Sequence, residues 1–223
     1  MAFRIPESLH EITIGQYQKY MAAIEGLETN EAAMMERAIV IFCNISLRDL
    51  RSLTRKEVDV ITIGMSKALK AFGDDQELVR RFTLDGVEYG FIPNLDTDIS
   101  YGENKDIVEH IRDGVRSSHK AMAILYRPIL KSSKNTYKIE QYKLPVVHEE
   151  SFRNAPVSIL LGAQVFFWTL TRELLMHIPS YLKEQMGEEV FKEMTKKASI
   201  NPIGEDMTKY SALLKETLEG LTK

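Results

Sequence analysis

The sequence predicts a mainly α-helical protein of the α+β class, a helical domain with a small β-hairpin or three-stranded sheet around one central buried helix. Three observations carry this reading. The stretch Ala155–Leu182 is the most apolar passage of the 223-residue chain and holds its only tryptophan, Trp168. The first third spaces its apolar residues three and four apart, the helical period. Between Phe82 and Phe91 the period switches to two around Asp85-Gly86, a strong two-residue turn signal.

Taken in order, Thr13 to Ile24 sets Ile14, Tyr17, Met21 and Ile24 on one helical face, with Gly26 a natural stop. A second helix begins after Thr29 or Asn30 and runs through Met34, Ala38 and Ile41 to Asn44. Ser46 opens a short helical turn carrying Leu47 and Leu50. Thr54-x-x-Glu57 is a capping box, and Val58, Ile61, Met65, Leu69 and Phe72 continue one apolar face to Gly73. The hairpin, near 79–93, alternates Phe82 and Leu84, then Val87, Tyr89 and Phe91, and Pro93 ends it. An isolated hairpin is marginal in water, so it must pack on helices or gain a third strand, for which Tyr137–Tyr142 is the candidate.

Ser100-x-x-Glu103 is a further capping box, opening a helix with Ile107, Val108 and Ile111 that Gly114 closes. Ser117 or Ser118 starts the next helix, which stops at Arg127-Pro128. A short helical piece around Phe152 leads into the central helix, with Pro156 at a first helical position and Pro179 at its stop or kink. Beyond it, Val190, Phe191 and Met194 form a modest helix, and Asn201-Pro202-Ile203-Gly204 breaks the chain. A last helix stripes Met207, Tyr210, Leu214, Leu218 and Leu221 along one face. The organisation expected is one helix-rich domain over 1–200 and a C-terminal amphipathic helix over 201–223. The stripe of that helix is read first as packing on the domain; the sharper alternative, a partner or an oligomer contact, would use the same stripe.

Composition narrows the function classes. An apolar share of 44%, a charged share of 27% and a net charge of −3 describe an ordinary globular protein and argue against a general nucleic-acid binder. Cys43 stands alone, so there is no internal disulfide and no paired-cysteine zinc site. A reducing, intracellular setting fits. The uncharged part of the central stretch ends at Thr171 and contains Ser158, Gly162, Gln164 and Thr169. A membrane span needs about 20 predominantly apolar residues, so a core helix is expected instead. The N-terminus shows neither an apolar run nor a cleavage site for secretion.

Chemistry is sparse. Phosphate-loop, dinucleotide, nucleophile-elbow and HExxH motifs are all missing from the sequence. Glu103, Asp106 and His110 could share a helix face as metal ligands, but acids in a first turn are already explained by the helix dipole. His148-Glu149-Glu150 offers an acid–base pair, and Ser117-Ser118-His119 sets hydroxyls beside an imidazole that helix capping explains more simply. The remaining signal is basic. Arg112, Arg116, Lys120, Arg127, Lys131, Lys134, Lys138 and Lys143 face only Asp113 and Glu140 over 112–143, with Tyr126, Tyr137 and Tyr142 interleaved. That pattern suits phosphate contacts and base stacking, or an exposed loop balanced by acids elsewhere. No catalytic residue, cofactor or metal is expected.

Four phrases occur together in order: Ile14-Gly-Gln-Tyr-Gln-Lys-Tyr20, Tyr89-Gly-Phe-Ile-Pro-Asn-Leu95, Ala121-Met-Ala-Ile-Leu-Tyr-Arg-Pro-Ile129 and Val165-Phe-Phe-Trp168. In this order the chain, from Ile14 to Leu182, resembles proteins encoded among the tail and virion genes of tailed bacteriophages. The resemblance implies a non-enzymatic part in building the particle. One such class is the tail assembly chaperone, which coats the tape-measure protein until tail-tube subunits replace it. The other is a structural virion subunit, at the head–tail connection or in the tail, with homo-oligomeric ring contacts. Ten methionines suit adaptable binding of a helical client. On this reading Tyr126, Arg127, Tyr210, Leu214 and Leu218 are the partner-binding candidates, the partner is tape-measure or tail-tube protein, and the location is the host cytoplasm or the virion. Arg127 also has a local explanation, a helix C-terminal charge.

Overall fold

The computed structural model describes residues 4–27, 29–70, 76–95, 97–134 and 136–170. The chain divides into two compact units, Met1–Gly162 and Ala163–Lys223. Of the second unit only 163–170 are described; they are helical, with the Phe166 and Phe167 rings 5.4 Å apart. The expected helices around Val190 and over 201–223, with Tyr210, Leu214 and Leu218, lie outside the described residues.

The first unit is mainly helical and carries a small antiparallel sheet. Four helices come first: α1 (Ile14–Ile24), α2 (Glu31–Phe42), α3 (Leu47–Ser52) and α4 (Arg55–Lys70). Their starts follow local chemistry. Thr13 and Gln16 close a reciprocal capping box, Asn30 accepts from Ala33 N–H and Ser46 from Asp49 N–H. Thr54 Oγ1 and Glu57 perform the same exchange at α4. Ile14, Tyr17, Ile39, Phe42, Ile61 and Met65 supply the buried faces. Cys43 is buried with its Sγ 3.7 Å from Met65 Sδ, and burial pushes its thiol up to about 11.

Strands β1 (Arg81–Leu84) and β2 (Val87–Phe91) form the expected hairpin, with Asp85 at φ 50° and Gly86 at φ 79° turning the corner. That both turn residues have positive φ is what the tight hairpin requires. Helices α5 (Tyr101–Arg112) and α6 (Ser118–Leu125) follow, and α6 runs directly into β3 (Tyr126–Ser132). β4 (Tyr137–Ile139) completes a sheet of order β1-β2-β3-β4, all neighbours antiparallel.

The sheet therefore has four strands, not two or three. The segment expected as a third strand over Tyr137–Tyr142 is the fourth, and it is strand only to Ile139. Arg127-Pro128, expected as a helix stop, lies inside β3, where Pro128 pairs with Tyr89. Proline is rare in an inner strand because it cannot donate. Here it sits beside a register irregularity between Ile129 and Lys131, and its carbonyl still accepts Glu140 N–H at 2.9 Å.

One face of the sheet packs an aromatic cluster. Phe82 meets Tyr126 at 5.3 Å, Phe91 meets Tyr126 at 5.2 Å, and Tyr89 meets Phe152 at 5.1 Å, mostly edge to face. Phe152 belongs to a 3-10 turn, Glu150–Asn154, which hands the chain to helical residues from 157 onward. Every residue over 157–162 is buried, so the all-round apolar pattern reflects burial on all sides. The turn and helix start are tied to the first helix: Ile14 N–H donates to Ala155 O at 2.9 Å and Val157 N–H to Ile12 O at 2.8 Å.

Candidate functional site

Among the described residues, a set of polar side chains joins α1, α6 and the Glu150–Asn154 turn. Gln18 and His119 are both buried, at 8% and 1% exposure. Arg153 Nη1 donates to Gln18 Oε1 at 2.6 Å. Because arginine only donates, the oxygen of the amide must face it and the nitrogen must face the other way. Gln18 Nε2 accordingly donates towards the carbonyls of Val115 and Arg116, at 2.9 and 3.0 Å, and towards His119 Nδ1 at 2.9 Å. His119 Nδ1 is then an acceptor, and the imidazole proton sits on Nε2. Nε2 stands 3.5 Å from Glu150 Oε1, a contact longer than a good hydrogen bond. Arg153 Nε closes the ring on Glu150 Oε2 at 2.7 Å.

Burial, then the Arg153 charge, hold the His119 imidazole below its ordinary range, against the opposing pull of Glu150 and Glu149. The ring is thus built around a neutral histidine. Outside it, Lys120 Nζ pairs with Glu149 Oε1 at 2.8 Å, and that bond raises the lysine. The Arg153 hydrogen bond lowers the exposed Glu150 carboxyl.

His119, Glu149 and Glu150 place one ligand atom each within 4.8 Å of one another, a spacing a cation could use. The proton on Nε2 opposes it. Ligation there would move that proton to Nδ1, which faces an amide donor, and both carboxylates already hold cations. The arrangement is a clamp between three chain segments. Sequence reasoning weighed His148-Glu149-Glu150 and Ser117-Ser118-His119 separately, and the structure joins parts of the two. The partners it missed, Gln18 and Arg153, lie 101 and 34 residues from His119 in sequence, where local pattern gives no signal. The serines are not caps: Ser117 Oγ donates to Asp113 Oδ2 at 2.9 Å and Ser118 Oγ to Val115 O at 2.8 Å.

The α5 candidates separate. Glu103 is buried and its Oε1 lies 2.8 Å from Arg127 Nη2, while its Oε2 accepts Ser100 N–H at 2.6 Å. Asp106 accepts from the Tyr142 hydroxyl. Among the described residues, Glu103, Asp106 and His110 form no shared ligand cluster. Tyr126 and Arg127, expected at a partner surface, are corrected to interior positions. Tyr126 is 0% exposed and donates to Val79 O, and Arg127 is 8% exposed on β3, not at a helix end. Burial holds the Arg127 guanidinium below its usual range, with Glu103 opposing.

The basic segment is sorted by the fold. Arg116 pairs with Glu25 at 3.5 Å, Lys120 with Glu149, and Arg127 with Glu103. Lys131, Lys134 and Lys138 remain exposed on the β3–β4 hairpin. Two open cavities of about 270 and 290 Å³ flank the loop after β4, sharing Tyr142, Pro145 and Val146 as a wall. Comparison with protein-family models, with curated proteins and with solved structures finds no match to this chain. Among the described residues, no helix is long and apolar enough to cross a membrane.

Proposed function

We propose that this protein is a non-enzymatic bacteriophage assembly protein, a tail assembly chaperone that holds a helical client such as the tape-measure protein in the host cytoplasm. The resemblance of its four phrases to tail and virion proteins supports the reading. The observation that carries it is an unburied apolar pair on α4. Ile61, Met65 and Ala68 bury one face of that helix, yet Val60 and Ile63, one turn apart, are 62% and 60% exposed. Single exposed apolar residues are ordinary, whereas a pair at helical spacing is the anchor pattern of helix–helix recognition. Leu144 and Val147, at 71% and 85% exposure, add a second apolar contact on the loop after β4.

The test is mass spectrometry on purified virions and on infected-cell lysate, followed by capture of tape-measure protein on the full chain. Abundance in lysate, absence from particles and capture lost on Val60→Ser/Ile63→Ser are the expected results. Stoichiometric presence in particles refutes the chaperone reading and makes the protein a virion subunit.

A further inference from the structure

We infer that the β3–β4 hairpin is a docking surface for an acidic protein segment, held by Lys131, Lys134 and Lys138. The protein carries net charge −3, yet these three cations sit together, all exposed. Among the described residues none of them has a carboxylate within ion-pair distance, while Arg116, Lys120 and Arg127 of the same segment are each paired. Lys131 and Lys138 are directly opposite one another across the two strands. Paired residues of an antiparallel ladder point to one face with their Cβ atoms about 5 Å apart, and like charges there destabilise the sheet. The fold thus holds a repulsive pair that an anion relieves.

Lysine on an edge strand is also a device against strand addition. That accounts for Lys138 on β4 and also for Lys131, because β2 pairs β3 only over Tyr126, Arg127 and Pro128, but Lys134 lies in the connection and needs another reason. A polyanion could be protein or nucleic acid, and the aromatic residues decide. Tyr126 is buried. The Tyr137 hydroxyl donates to Phe91 O at 2.6 Å, with its ring covering Gly90 and the Arg81 guanidinium 4.5 Å above it. Tyr142 is bonded to Asp106. Tyr126 and Tyr137 are thereby withdrawn, and Tyr142, half-buried, is left as a single ring face, short of the successive platforms that single-stranded nucleic acid uses. What remains is point charge at strand spacing. Alternate side chains of an extended acidic peptide, about 7 Å apart on one face, fit it.

This surface stands apart from the proposed role, because it requires no phage partner. The test is fluorescence anisotropy on the full chain at low salt, with a labelled peptide of alternating glutamate and serine and with oligothymidylate of matched charge. The peptide is expected to bind, to weaken as salt rises, and to lose about tenfold in affinity in Lys131→Gln/Lys134→Gln/Lys138→Gln, the sum of three exposed ion pairs. The thermal midpoint of that variant is expected to be unchanged or raised, since the repulsive pair is gone. No peptide binding overturns the inference, as does an equal loss in the control Lys56→Gln/Lys67→Gln/Lys70→Gln on α4. Tighter binding of oligothymidylate overturns it in favour of nucleic acid.

Discussion

Arg127→Met removes one member of an ion pair that is almost wholly withdrawn from water. The side chains are 10% and 4% exposed, and Nη2 lies 2.8 Å from Oε1. At an effective dielectric of about 20, opposite charges at that separation attract by about 6 kcal/mol. Desolvation offsets several kcal/mol for each ion, so the pair as a whole adds little over an apolar substitute. Removing one partner is different, because the burial remains while the attraction goes. Glu103 keeps its bond from Ser100 N–H, and Arg127→Met is expected to destabilise by about 3–5 kcal/mol. Glu103→Gln, which keeps an acceptor for Ser100, strands the arginine and loses a similar amount. The double variant is expected to lose at least about 2 kcal/mol less than the sum of the singles. Urea unfolding of the four proteins, with midpoint and slope both fitted, measures this cycle. Singles that each lose under about 1 kcal/mol and simply add would refute the claim that the pair is coupled.

Three further outcomes follow from the same geometry. Because the His119 imidazole is held below its unfolded value, the unfolded chain binds the extra proton first as pH falls. Stability is therefore fully present above about pH 6.5 and declines below it, and His119→Phe should flatten that part of a melting-temperature profile. At Gly162 a Cβ would lie 2.3 Å from the Glu77 carbonyl oxygen, whereas at Gly90 it would lie 2.4 Å from the Tyr137 ring. Backbone cannot yield as a ring can, so by thermal melts Gly162→Ala should destabilise more than Gly90→Ala, and Tyr137→Ala should rescue only the latter. The Cys43 thiol, buried and raised to about 11, should resist a disulfide-exchange reagent at pH 8 until denaturant exposes it, which an absorbance time course reads directly.

How much of this was legible depends on the range of the interaction that fixes each feature. The caps at Thr13, Asn30, Ser46, Thr54 and Ser100 are decided within three residues, and the Asp85-Gly86 turn within two, so the sequence could announce them. β3 was hidden because Arg127-Pro128 carries a true local signal, the end of a helix. The helix does end there, at Leu125, but the chain goes on as strand because Tyr126 and Phe91 pair across the sheet. Periodicity could not show that pairing, since it links residues 35 positions apart.

The polar residues make the same point more sharply. Arg127 looked like a helix-end charge or a partner contact because sequence shows its charge and not its counter-ion. Glu103, its partner, looked like a capping-box acid, and it is one; the other carboxylate oxygen is what the sequence could not place. Gln18 sits between Tyr17 and Lys19 in a helix, where nothing local marks it, yet it is held by an arginine 135 residues away and faces a buried histidine. For Glu103 the local role was correct and incomplete, because its carboxylate serves two partners and only one of them is near in sequence. Lys131, Lys134 and Lys138 are the converse. Among the described residues they have no long-range partners like those that neutralise Arg116, Lys120 and Arg127, so the hairpin keeps the charge that the sequence displayed.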